Sequence, residues 1–219
     1  MSDEKTVDNR SRILDAAESL FAMRGYAATS VREIVRTAGV TNPMLYYYFG
    51  SKEDLLLHLI GERFGEFSDL LAASLGGCGD AECVLTTWCE TLLMFTSQRP
   101  VATRMVYSML FGTGDEVQRN AVLQQAATLS AILLDNLQRT LPNVDPARLS
   151  FAMLIYRSVM DMMVFAAMEG GAPANSHEIV HALVQRTLNM LTDDLPAPEI
   201  SGLLGMPCHA PAGQEDETP

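Results

Sequence analysis

Lysine is nearly absent from this chain of 219 residues: only Lys5 and Lys52 are present, and the formal net charge is −12. That balance excludes the blanket of positive charge by which a basic tail or groove holds nucleic acid without regard to position. Cysteine is scarce as well. Cys78, Cys83, Cys89 and Cys208 stand at no paired metal-binding spacing, so a zinc-ribbon or zinc-finger scaffold is excluded and unpaired, reduced thiols are expected. The first ten residues, MSDEKTVDNR, contain no apolar run of the kind that directs export, and a cytoplasmic protein is expected. The longest apolar stretch, Phe151 to Met168, is interrupted by Arg157 and Asp161 and reads as a buried helix of a soluble protein rather than a lipid-facing span. No segment alternates long enough to argue for a strand, and neither a glycine-rich phosphate loop nor a nucleophile elbow occurs. An enzyme is therefore not expected, and no catalytic residue, metal or cofactor is assigned.

What is present is helical periodicity with clear punctuation, giving an all-α fold of about nine helices. Ile13, Leu14, Ala17, Leu20 and Phe21 recur on one face of a first helix over 9–24, which Gly25 ends. Ser30 with Glu33 forms a capping-box pattern at the start of a short second helix, and Gly39 breaks it. Thr41 is expected to cap a third short helix over 42–48 with Pro43 in its first turn, and Ser51 to cap a long fourth helix reaching about Leu75. After the loop Gly76, Gly77, Cys78, Gly79, further helices are expected over 81–97, 100–111, 115–141, 146–169 and 176–193. Residues 195–219, with five prolines and the acidic run Glu215–Glu217, read as a disordered tail.

Two short helices joined at Gly39 fit a helix-turn-helix over 30–49, in which the second helix enters the DNA major groove. Leu45 and Phe49 share the core-facing side with Ile34 and Val40, leaving Asn42, Met44, Tyr46 and Tyr47 directed outward. Exposed apolar and aromatic side chains on a two-turn helix point to a covering partner, and tyrosine supplies a flat ring for sugar and base together with a hydroxyl for phosphate. Charge is distributed to match. From Asn9 to Glu53 six cations stand against four anions, a local net charge of +2 in an acidic chain. Lys52, directly after the Ser51 cap, opposes the helix dipole, a conflict that a phosphate at the helix N-terminus reverses; a solvated lysine paired locally with Glu53 or Asp54 is the alternative.

The segments ILDAAESLF, GYAATSVREIV and AGVTNPMLYYYFGSKEDLL together resemble the TetR family of bacterial one-component regulators, over roughly residues 7–67. The resemblance implies a DNA-binding domain over 7–67, with phosphate contacts from Thr29 and Ser30, Thr41, Tyr46, Tyr47 and Lys52. It implies base-edge contacts from Asn42, Pro43 and Met44. Arg32 and Arg36 are within reach of the backbone, with a solvated helix face as the alternative. Family members often carry a basic residue near position 42 and a histidine at 47; Asn42 and Tyr47 depart from that pattern, so the operator cannot be carried over.

Residues 68–194 read as a helical regulatory and dimerisation domain. Trp88, Phe95, Tyr107 and Phe111, among methionines, serve either as plain core or as the wall of an apolar pocket, with Glu90, Arg104, Arg157 and Asp161 as possible anchors. Arg157 and Asp161, four residues apart, are equally an internal helix ion pair. The resemblance implies a small, largely apolar effector in this domain, a homodimer through the last two helices, and an inverted-repeat operator in double-stranded DNA. A DNA-bound adaptor whose rear domain receives a protein partner is the alternative. His177 and His181, one turn apart but without a third ligand, read as a solvated helix start rather than a metal site.

Overall fold

The computed structural model describes residues 2–112, 116–170 and 176–192, with side chains from position 9 onward. Within them lie α1 (Ser2–Arg24), α2 (Val31–Ala38), α3 (Asn42–Phe49), α4 (Lys52–Leu75) and α5 (Ala81–Gln98), followed by α6 (Pro100–Phe111), α7 (Glu116–Thr140), α8 (Pro146–Gly170) and α9 (Ser176–Thr192). No strand occurs among the described residues. The expected acidic tail over 195–219, with Cys208 and His209, lies outside them.

The helix ends follow the punctuation of the sequence. Ser30 accepts from the Glu33 backbone N–H while the Glu33 carboxylate accepts from the Ser30 backbone N–H at 2.9 Å, a reciprocal cap. Ser51 and Asp80 cap α4 and α5 through the N–H groups of Asp54 and Cys83, and Asp145 accepts from Ala147 and Arg148 at the start of α8. Pro100 and Pro146 occupy first turns, where a missing N–H costs no helical bond.

Two apolar cores form along the molecule. The front core gathers Ile13, Ala17 and Phe21 of α1, Ile34 of α2, Leu45 and Phe49 of α3, and Leu55, Leu59 and Ile60 of α4. It is closed from outside the first four helices by Met105 and Met109 of α6 and Val122 of α7. The rear core takes Phe67, Leu71 and Leu75 from the far half of α4, Leu85 and Trp88 from α5, Leu133 and Leu137 from α7, Tyr156 and Met160 from α8, and Leu183 and Val184 from α9. Phe64 packs against both. Each fully buried leucine, isoleucine, valine, phenylalanine or methionine among them contributes roughly 1.5–3 kcal/mol by leaving water.

Two features of the rear half differ from the sequence reading. Cys78 and Cys83, expected as separate thiols, are joined in a disulfide; the turn between α4 and α5 brings their Cα atoms to 5.3 Å, within bonding reach. Cys89 remains a thiol, enclosed with Tyr156 and Met160, and burial pushes its pKa up to about 12. Second, α8 is only partly covered within one chain: Met162 is 66% and Phe165 53% exposed. By length and composition this helix is also apolar enough to cross a membrane.

Candidate nucleic-acid interface and ligand cavity

The turn between α2 and α3 is built by backbone geometry. Gly39 takes φ 65°, ψ 36°, the left-handed conformation that glycine adopts without a Cβ penalty, and its N–H bonds to the Arg36 carbonyl. The Val40 N–H returns to the Val35 carbonyl at 2.9 Å, so the Val35 and Arg36 carbonyls near the end of α2 are satisfied. Thr41, expected as a cap, is extended at the N-terminus of α3, but its side chain makes no capping bond.

On α3, Leu45 and Phe49 face the front core, and the Arg10 guanidinium lies 5.5 Å from the Phe49 ring centre. The opposite side is open. Tyr46 is half exposed and Tyr47 is 80% exposed, its ring edge-on to Tyr48 at 5.2 Å. Asn42 and Pro43 are exposed and Met44 partly so, as are Ser30, Arg32, Arg36 and Thr41 around the turn. Arg24 bridges α1 to α2 through Glu33 at 2.9 Å. The Ser30 hydrogen bonds, backbone first, and then the charges of Arg24 and Arg36 hold the Glu33 carboxyl below its ordinary range.

Thr29 and Lys52 are placed inward. Thr29 is 1% exposed and donates its hydroxyl proton to the Gly25 carbonyl at 2.8 Å. The Lys52 ammonium donates to the carbonyls of Tyr26 and Thr29 at 3.0 and 2.9 Å and sits 4.0 Å above the Tyr26 ring centre. Burial lowers its pKa. This lysine therefore holds the 25–29 turn against the start of α4, and its carbonyl partners offset the unfavourable helix dipole.

Behind this face, a cavity of about 260 Å³ opens between α4, α5, α6, α7 and α8. Its wall is aliphatic and aromatic, with Phe64, Phe67, Leu92, Val106, Leu133 and Met153 among its members. Of the residues singled out in the sequence, Trp88, Phe95, Tyr107, Arg157 and Asp161 meet on this wall. Tyr107 donates its hydroxyl proton to Asp161 at 2.8 Å, and Arg157 Nε lies 3.8 Å from the same carboxylate. Burial above all, and then the Asp161 charge, raise the Tyr107 pKa well above the ordinary value. Arg104 and Phe111 are not on the wall. Arg104 donates to the Met168 carbonyl at 3.2 Å, and Phe111 is exposed with its ring near Tyr107. Glu90 faces His177 at 3.2 Å instead.

Sequence reasoning missed Arg63. Its side chain is 9% exposed, lines the cavity, and bonds through Nε to Glu18 of α1 and through Nη1 to Glu66 at 2.6 Å. Burial opposes the Arg63 charge, but the hydrogen bond and charge of Glu18, with those of Glu66, outweigh it and raise the pKa. The signal was available: Leu56, Leu59, Ile60, Arg63 and Phe67 fall on one face of α4, so a cation in that register is carried inward.

Residues 13–59 match the family described as bacterial regulatory proteins, tetR family. The chain is 36% identical over 87 residues to an HTH-type transcriptional repressor, KstR2, of Rhodococcus jostii (strain RHA1), covering 38% of this chain and 43% of that protein. It is 41% identical over 56 residues to the fatty acid metabolism regulator protein of Bacillus subtilis (strain 168), covering 26% of this chain and 29% of that protein. The chain thus spans less than half the length of both relatives. Among solved structures, the transcriptional regulator FadR from Bacillus subtilis in complex with stearoyl-CoA superposes with a TM-score of 0.63 at 20% identity, over 83% of this chain and 97% of that one. At that identity the likeness concerns the fold alone.

Proposed function

We propose that this chain, whose residues 13–59 match the tetR family of bacterial regulatory proteins, is a dimeric transcriptional repressor of that family, released from an inverted-repeat operator by a small, largely apolar ligand. The observation that carries the reading is α3: a two-turn helix whose Tyr46 and Tyr47 stand in solvent beside exposed Asn42 and Pro43. Such a surface gains from a duplex groove what it lacks in water. In this reading Asn42, Pro43 and Met44 meet base edges, while Ser30, Arg32, Thr41, Tyr46 and Tyr47 meet the sugar-phosphate backbone. Thr29 and Lys52 support them from behind, and Lys52 reaches phosphate only by leaving its two carbonyl partners.

Dimerisation is supported by the open apolar side of α8, where Ile155, Met162 and Phe165 are exposed. A second copy against this side places two α3 helices to read half-sites about 34–36 Å apart. The cavity is the effector site in this scheme, and two connections lead from its wall to the front core: the Arg63–Glu18 bond and Phe64. A ligand that favours one setting of α4 over another shifts operator affinity by its differential binding, typically about 1–3 kcal/mol. One named relative is a regulator of fatty acid metabolism and one structural neighbour was solved with stearoyl-CoA, so compounds with a long alkyl chain are the first ligands to try.

The test is selection of genomic fragments by the full chain, followed by gel shift on the recovered site and on one half of it. We expect an inverted repeat bound at least about tenfold more tightly than the half-site, and Tyr47→Ala to weaken binding by about tenfold without unfolding the chain. Equal affinity for whole and half sites refutes the dimeric reading, and an unchanged affinity of Tyr47→Ala refutes the placement of α3.

A further inference from the structure

The charges on the cavity wall already have partners, and this restricts what can enter. Among the described residues, the ionised side chains reaching the wall are Arg63, Arg157 and Asp161. Arg63 directs its three nitrogens at Glu18, Glu66 and, at 3.8 Å, Asp15, while Arg99 shares Glu66 at 3.4 Å. Three carboxylates against two guanidinium groups leave that cluster with an excess of negative charge. Arg157 and Asp161 neutralise each other, and Asp161 also accepts the Tyr107 hydroxyl. The wall hydroxyls of Thr103, Ser130 and Ser150 donate to carbonyls four residues earlier in the chain.

We propose that the cavity selects an apolar molecule whose polar group is uncharged and hydrogen-bonding, such as an alcohol, seated against Tyr107 and Asp161, and that it rejects a carboxylate or ammonium head. The inference rests on the reading of this cavity as the effector site. A hydroxyl donates to the Asp161 carboxylate and accepts from the Arg157 guanidinium, so both its proton and its lone pairs find partners. A carboxylate at the same place faces the Asp161 charge, while Arg157 is already shared with that residue. An ammonium faces Arg157. The Tyr107 proton is retained across the working pH range, because burial and then Asp161 hold the phenol neutral.

Trp88 is the single tryptophan of the chain and lies on the wall, so its fluorescence reports occupancy directly. The full-length protein is titrated with decanol, decanoate and decylammonium at mildly alkaline pH, where the acid and the amine are both charged. Decanol is expected to give a saturable change, with both charged compounds at least about tenfold weaker. Asp161→Asn keeps the shape and the acceptor for Tyr107 but removes the charge, and should bring decanoate to within about threefold of decanol. Circular dichroism establishes that the variant is folded. If decanoate or decylammonium matches decanol in the parent protein, or if Asp161→Asn leaves the discrimination intact, the proposal is overturned while the cavity stands as an effector site. If none of the three compounds changes Trp88, the effector reading falls, and the proposal with it.

Discussion

Glu18 and Arg63 offer a sharp test of the energetics, because the two partners are not equivalent. Arg63→Met removes the cation and leaves Glu18, whose side chain is only 11% exposed, without its partner. Breaking a buried pair in this way costs about 3–5 kcal/mol, and the lower end applies here because Asp15 and Glu66 are 69% and 37% exposed and can be rehydrated. Glu18→Gln is milder. Arg63 keeps Glu66, the amide oxygen still accepts a hydrogen bond, and the loss is about 1 kcal/mol. The double variant removes both charges and should be more stable than Arg63→Met alone by about 1–2 kcal/mol. The assay is urea unfolding of the four proteins at one fixed chain concentration, compared through midpoints at constant slope. If Glu18→Gln proves as costly as Arg63→Met, or if the double variant equals the sum of the singles, the pair is not the buried unit described above.

Two further outcomes follow from the surface. Glu33 has a folded-state pKa below its ordinary value, so its contribution to stability is fully present above the unfolded pKa and is lost as pH falls through the folded one. An NMR titration should therefore find Glu33 protonating at lower pH than a free glutamate, and Ser30→Ala, which removes the hydroxyl but keeps the backbone N–H donor, should move that midpoint only part of the way upward; an unmoved midpoint refutes the contribution of the Ser30 hydroxyl. Phe165→Glu, on the open side of α8, should leave the chain folded, halve its mass by light scattering, and weaken the whole operator more than the half-site. A dimeric Phe165→Glu protein places the interface elsewhere.

Local chemistry was the legible part of the fold. The capping box at Ser30, the glycine at 39 and the prolines at 100 and 146 act within a few residues of themselves, so their consequences can be read without knowing the rest of the chain. The outward face of α3 follows from Leu45 and Phe49 being four apart. Partners distant in sequence were less accessible. Lys52 reaches carbonyls 26 and 23 positions earlier, and Arg63 reaches a carboxylate 45 positions earlier, so the charges were legible and their satisfaction was not. The cavity lies between these cases: Trp88, Phe95 and Tyr107 stand out as large side chains on adjoining helices, yet Phe111, one turn beyond Tyr107, points to solvent.

Met105, Met109 and Val122 complete the front core although they follow Ile60, its last buried residue from the first four helices, by 45 positions or more. An excised fragment of residues 7–67 therefore starts life with an open wound, with Ile13, Leu55 and their neighbours missing one wall. Transplanting these four helices onto a foreign protein calls for carrying α6 along, or for repainting the bared patch with polar side chains.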